Sequence, residues 1–112
     1  MKPDDIDHAI GTHLLGWTYH ANAGKWCDKQ NNWVDGWQPT RNATQALHIV
    51  EWWCQSNFIR ESAINYSNHT SQWIVDLRHK GNCSVGRAAT FPMAVAIAAV
   101  GTKPVQERMA SK

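Results

Sequence analysis

Apolar and polar residues alternate in two rhythms along this chain, and the changes of rhythm mark its elements. Residues 38–57, QPTRNATQALHIVEWWCQSN, hold the strongest helical pattern. Ala43, Ala46, Leu47, Val50, Trp53 and Cys54 recur at spacings of three and four, which places them on one helical face. His48, Glu51 and Gln55 fall on the other side. Ile49 and Trp52 widen the apolar stripe, so this helix is expected to be covered on more than one side. Pro39 favours an extended or turn conformation ahead of it. Thr40 and Asn42 both suit the N-cap, because a side-chain oxygen there accepts from an otherwise unpaired backbone N–H. The helix is predicted from that cap to about Gln55, with Asn57 suited to the left-handed position after it.

A first helix opens at Pro3-Asp4-Asp5, carries Ile6, Ile10 and Leu14 as one stripe, and closes at Gly16. Residues 17–20 and 25–28 are predicted as two short aromatic strands around the turn residues 21–24, with Trp33-Val34 as a third. After the central helix, residues 58–66 are a strand candidate and 67–70 a hairpin loop. Residues 71–79 are the clearest strand, with Trp73, Val75 and Leu77 expected inside and Gln72, Ile74, Asp76 and Arg78 on the other face. Residues 80–82 break that strand, and 83–89 are expected as loop. Thr90 and Pro92 open a last helix, apolar nearly all round from Met93 to Val100 and ended by Gly101. The reading is α+β: a small antiparallel sheet with helices packed on it, in the order α-β-β-(β)-α-β-β-α. Residues 1–101 form a single domain, and 102–112 a frayed polar tail.

Composition narrows the class. The 112 residues are 43% hydrophobic and 18% charged, which is globular rather than disordered. The net charge of +2 is small and dispersed, so duplex nucleic acid is not an expected partner. Cys27, Cys54 and Cys83 are far apart with no CxxC, the pattern of free thiols in a reducing compartment. The longest apolar run, residues 93–100, is well short of the ~20 residues a membrane helix needs. No secretion signal is expected at the N-terminus.

The layout resembles a family of small bacteriophage proteins, the phage ABA-sandwich domain, named for its α/β/α layering. The residues carrying the resemblance are Leu14-Leu15-Gly16-Trp17 at the end of the first helix and the Trp-rich hairpin after it. Trp37-Gln38-Pro39-Thr40, Trp52-Trp53, Gln72-Trp73-Ile74-Val75 and the helix ATFPMAVA from Ala89 to Ala96 follow in order. The resemblance spans about residues 4–101. It implies a phage-encoded protein acting in the cytoplasm of an infected bacterium, with counter-defence as one role by analogy. It brings no established catalytic residues to carry over, and no cofactor is expected.

Candidate chemistry is sparse. His8 and His13 do not share a helical face, and no HxxxH or CxxC stands in the chain, so no metal site is expected. No nucleophile is framed by a base and an elbow motif. Cys83, in sequence beside Lys80 and Arg87, is the thiol whose neighbours would lower its pKa. Seven tryptophans are the compositional oddity, and Trp17, Trp26, Trp33 and Trp37 crowd into 21 residues. They either plug one end of the fold or form a stacking surface. Trp37 and Arg41 at the entry of the central helix are the leading ligand-binding candidates, because a helix N-terminus, an arginine fork and an indole face suit an anion bearing a base. Arg87 at the entry of the last helix is a second anion candidate, and Arg60 and Arg78 on facing strands would add charge. The preferred expectation is a non-enzymatic protein that binds a nucleotide-like signal or a host protein. The alternatives are a small enzyme acting on a nucleotide and a structural homo-oligomer component.

Overall fold

Proline at position 3 has no N–H to leave unpaired, and Asp4 and Asp5 face the positive end of the backbone dipole, so helix α1 (Pro3–Ala9) begins there. The computed structural model describes residues 2–55, 61–79 and 82–111. In it α1 continues into one π-helical turn, Ile10–Leu14. Gly11 in that turn leaves room for the Trp26 ring, which would lie 2.8 Å from an added Cβ. Gly16, at φ +72°, reverses the chain, and the Trp17 N–H donates to the Gly11 carbonyl at 2.8 Å.

The first sheet follows as an antiparallel meander of β1 (Thr18–His20), β2 (Lys25–Cys27) and β3 (Trp33–Val34). Tyr19, Trp26 and Val34 stand side by side across it. Tyr19 and Trp26 meet His8 of α1 with ring centroids 5.3 and 4.8 Å away. The second sheet is another meander, β4 (Glu61–Ser67), β5 (Gln72–His79) and β6 (Asn82–Ala88). Val75 and Leu77 are buried and Arg78 is exposed, as the alternation predicts, whereas Trp73, expected inside, is half-buried, as are Gln72, Ile74 and Asp76 on the other face. Residues 58–60 of the expected strand lie outside the described residues.

Helix α2 (Ala43–Gln55) is capped by Asn42, whose Oδ1 accepts the Gln45 N–H at 3.0 Å; Thr40 is buried and engaged elsewhere. Its buried face is Ala46, Ile49, Val50 and Trp53. Ala43, Leu47 and Cys54, expected on that face, are exposed instead. The stripe is wider than one neighbour can cover, and among the described residues no element covers the flank carrying these three. Helix α3 (Phe91–Val100) is apolar on all sides because it is central. It lies on β5 and β6 and is covered in turn by α1, α2 and the π turn.

Two expectations are corrected. Residues 83–89, expected as loop, are strand β6 up to Ala88. Its inward residues are Ser84, Gly86 and Ala88, and these are small because α3 lies very close. An added Cβ at Gly86 would sit 2.0 Å from the Ala94 carbonyl oxygen. Ser84 Oγ donates to the Ala98 carbonyl at 2.6 Å. A strand facing alanine backbone has no large apolar alternation to reveal it. The frayed tail after Gly101 is also wrong: Lys103–Ala110 forms helix α4. Val105 is fully buried, Gln106 Nε2 donates to the Val100 carbonyl at 2.8 Å, and Arg108 donates to the His13 carbonyl. The fold is α+β, four helices with two three-stranded antiparallel sheets.

Candidate functional site

The segment leading into α2 is clamped onto α1 by one carboxylate. Asp7 is buried, and its two oxygens accept from Thr40, the N–H at 2.8 Å and the hydroxyl at 3.0 Å. Burial pushes the Asp7 carboxyl above its ordinary value, against the lowering effect of the Thr40 bonds and the Arg41 charge. The Asp7 carbonyl accepts the Trp37 indole N–H at 3.1 Å, which fixes the plane of that ring. Arg41 pairs with Asp4 one turn earlier on α1.

So held, Trp37 meets Trp17, with ring centroids 4.6 Å apart and planes inclined at 58°. Trp17 is delivered by the Gly16 reversal at the end of the π turn. The third wall is the flank of α2. Together Leu15, Trp17, Trp37, His48, Ile49 and Trp52 line an open cleft of about 160 Å³. All three indoles are half-buried, so each keeps part of its surface in reach of solvent. An apolar cavity of about 150 Å³ is large enough for a benzene ring. Pockets that enclose whole drug-sized ligands run from about 300 Å³. The cleft is therefore suited to one planar ring system, and His48 is the one titratable group among its lining residues.

Residues 8–100 match the family described as the phage ABA sandwich domain. The chain belongs to this family. Among curated proteins, none matches the sequence. A crystal structure of a phage protein from Bacillus cereus is similar in fold, with a TM-score of 0.69 at 18% identity over 91% of this chain and 93% of that one. At that identity the likeness concerns the fold.

In this ABA sandwich the arginines singled out from the sequence do not converge on the tryptophans. Arg41 is exposed and ion-paired to Asp4. Three of the donors around the entry to α2 are occupied from within: Thr40 by Asp7, the Arg41 N–H by the Gln38 carbonyl, and Gln45 by Asn42. The anion that meets this entry is the protein's own Asp7. Arg78 and Arg87 lie on the outer face of the second sheet, opposite Cys83 and Ile74 respectively, while α3 covers the inner face. Arg87 is thus on the other side of its strand from the helix it was expected to serve. Arg78 contacts Asp76 at 3.4 Å. Arg60 lies outside the described residues.

The four crowded tryptophans of the ABA sandwich split between two places. Trp17 and Trp37 line the cleft; Trp26 is buried under Tyr19 and His8; Trp33 is 57% exposed, its ring edge-on to His20. Trp52 completes the cleft from 15 residues further on, and His48 sits one turn before it. Their spacing to Ile49 on the second flank of a wide apolar stripe was the signal in the sequence. Cys83 reverses its expectation. Its thiol donates to Asp76 Oδ1 at 2.8 Å, and this bond to a carboxylate holds its pKa above the ordinary value. Among the described residues no group of three or more His, Cys, Asp or Glu is placed to hold a metal, and no helix is long and apolar enough to cross a membrane.

Proposed function

We infer that this ABA sandwich is a binding protein whose tryptophan cleft takes an aromatic side chain of a host protein inside the infected bacterium. The observation that supports this is the convergence of Trp17, Trp37 and Trp52 on one open apolar cleft the size of a single ring. Aromatic anchors seated in such pockets dominate the energetics of protein interfaces. A planar ring gains offset or edge-on contact with several indoles at once, each aromatic pair adding about 0.5–1.5 kcal/mol beyond its buried area. A nucleotide-like signal offers the same ring but also phosphates. Arg41, at the entry of α2, is ion-paired to Asp4, the Thr40 and Gln45 N–H groups there are taken by Asp7 and Asn42, and the cleft lining itself carries no lysine or arginine. The lining of the cleft therefore favours the ring over the phosphate, and the protein partner over the nucleotide. With one titratable group, His48, the cleft also favours binding over acid–base chemistry, which commonly uses two.

The test is affinity capture of host proteins by the wild type, Trp52→Ala and Trp33→Ala, with affinities measured for any retained protein. The expected outcome is a partner held by the wild type and Trp33→Ala and lost by Trp52→Ala. A thermal-shift screen runs beside it with mononucleotides and cyclic dinucleotides, since a ligand of the folded state raises the melting temperature. A nucleotide that stabilises the protein far more than its free base does would replace this reading with nucleotide capture. A partner lost by Trp33→Ala and kept by Trp52→Ala would move the site to the first sheet.

A further inference from the structure

The flank of α2 opposite the tryptophan cleft is apolar and has no covering element among the described residues. At about 100° per residue, Ala43, Leu47 and Cys54 fall within about 40° of one another on that flank. All three are exposed, Leu47 by 45%. Cys54 Sγ lies 3.1 Å from Ser62 Oγ of β4, so this flank adjoins the second sheet. β4 is an edge strand. Its residues Ser62, Ile64 and Tyr66 pair with Leu77, Val75 and Trp73, which places them on the core-facing side of the sheet. Yet α3 packs over β5 and β6, and Ile64 and Tyr66 remain 39% and 49% exposed. The bare row of β4 and the bare flank of α2 thus join at Cys54 and Ser62 into one apolar strip beside an open strand edge.

Natural edge strands are usually guarded by lysine, proline or a bulge. From Ser62 to Ser67 this one has no charge and no proline. The sequence ESAINYS is also self-complementary when two copies run antiparallel about Ile64. Ile64 then faces Ile64, Ser62 faces Tyr66, Ala63 faces Asn65 and Glu61 faces Ser67, and no charge meets its like. A two-fold axis at that point runs perpendicular to the sheet, so both copies keep their helices on the same side. The α2 flanks carrying Leu47 then face each other above the paired strands.

We propose that β4 pairs with β4 of a second copy of this chain, joining two three-stranded sheets into one six-stranded sheet. This is an isologous contact, with the same patch used by both subunits. It covers the strand edge and the strip together. The tryptophan cleft, on the other flank of α2, stays open in such a dimer.

Sedimentation velocity of the full chain at 5–100 µM tests the state, and cysteine cross-linking tests the register. Opposed residues of an antiparallel pair have Cα atoms about 4.5–5.5 Å apart, within disulfide range. In a background with Cys54 and Cys83 replaced by serine, Ile64→Cys is expected to form a covalent dimer on mild oxidation. Ser62→Cys and Tyr66→Cys, each displaced from its own symmetry mate, are expected to cross-link at least tenfold less. Ile64→Lys, at a position already part-exposed, is expected to give a folded monomer. A wild type that is monomeric at 100 µM, with or without a host protein on the strip, overturns the proposal. So does a dimer that cross-links equally at 62, 64 and 66.

Discussion

Asp7 is the residue whose replacement tests most of the packing argument around the cleft. It is buried on α1, accepts both the N–H and the hydroxyl of Thr40, and its burial raises its pKa. Asp7→Ala leaves those two donors buried without an acceptor. Each such orphan costs about 1–3 kcal/mol. Loss of the buried charge offsets part of this, because an ionised carboxylate there is held against its desolvation. The expected net loss is about 2–4 kcal/mol, or a fall in melting temperature of roughly 10 °C for a chain of this size. Asp7→Asn is different. Its amide oxygen can accept the Thr40 N–H and its amide nitrogen can donate to the Thr40 hydroxyl. It is expected to stay within about 1 kcal/mol of the wild type.

The pH dependence separates the two causes. The folded-state pKa of Asp7 lies above the unfolded value, so the folded protein binds more protons in the window between them. The contribution of Asp7 to stability is therefore full below the unfolded pKa and is lost as pH rises through the folded pKa. Relative to Asp7→Asn, the wild type should lose stability as pH rises from below the ordinary carboxylate value through the raised folded-state value. Urea denaturation of the three proteins across that range measures it. If Asp7→Asn is as damaged as Asp7→Ala, or if the wild type gains on Asp7→Asn as pH rises, the account of this buried carboxylate is wrong.

Gly86→Ala drives a Cβ to 2.0 Å from the Ala94 carbonyl oxygen and 2.5 Å from the Ala98 nitrogen, both backbone atoms of α3. It should cost about 3 kcal/mol or more in thermal or urea unfolding, the upper end for overpacking. Ending the chain after Thr102 removes α4 and with it fully buried Val105. The expected loss is about 2 kcal/mol, whereas removal of a frayed tail would leave the melting temperature unchanged. Cys83 should be alkylated by iodoacetamide at pH 7.5 more slowly than exposed Cys54, and Asp76→Asn should speed it several-fold, as read by peptide mass mapping.

The sequence carried the element types well where side chains are large. The alternation of Trp73, Val75 and Leu77, Pro3 at the start of α1 and the Asn42 cap of α2 are local signals, and local physics decides them. It was silent where the neighbour is close. β6 presents Ser84 and Gly86 inward because α3 leaves no space, so its alternation has no apolar side to read. α4 has one fully buried residue, Val105, and its anchoring bonds run to the Val100 and His13 carbonyls, the second lying 95 residues away. The cleft was half legible. Trp37 was a candidate from its sequence position, but Trp17, His48 and Trp52 become its neighbours only when α1 and α2 are docked. The pairing of Arg41 with Asp4, which withdraws that arginine from ligand duty, spans 37 residues and leaves no mark in the sequence.

The central claim is that Trp17, Trp37 and Trp52 together receive one aromatic ring. The indole N–H signals of a ¹⁵N-labelled sample report on each tryptophan separately during a titration with free indole. The account predicts that the signals of Trp17, Trp37 and Trp52 move together, with a dissociation constant on the order of millimolar for so small a ligand. Trp33 should not move, and Trp52→Ala should abolish the response of the other two. Movement of Trp33 alone, or an unchanged titration in Trp52→Ala, would contradict it.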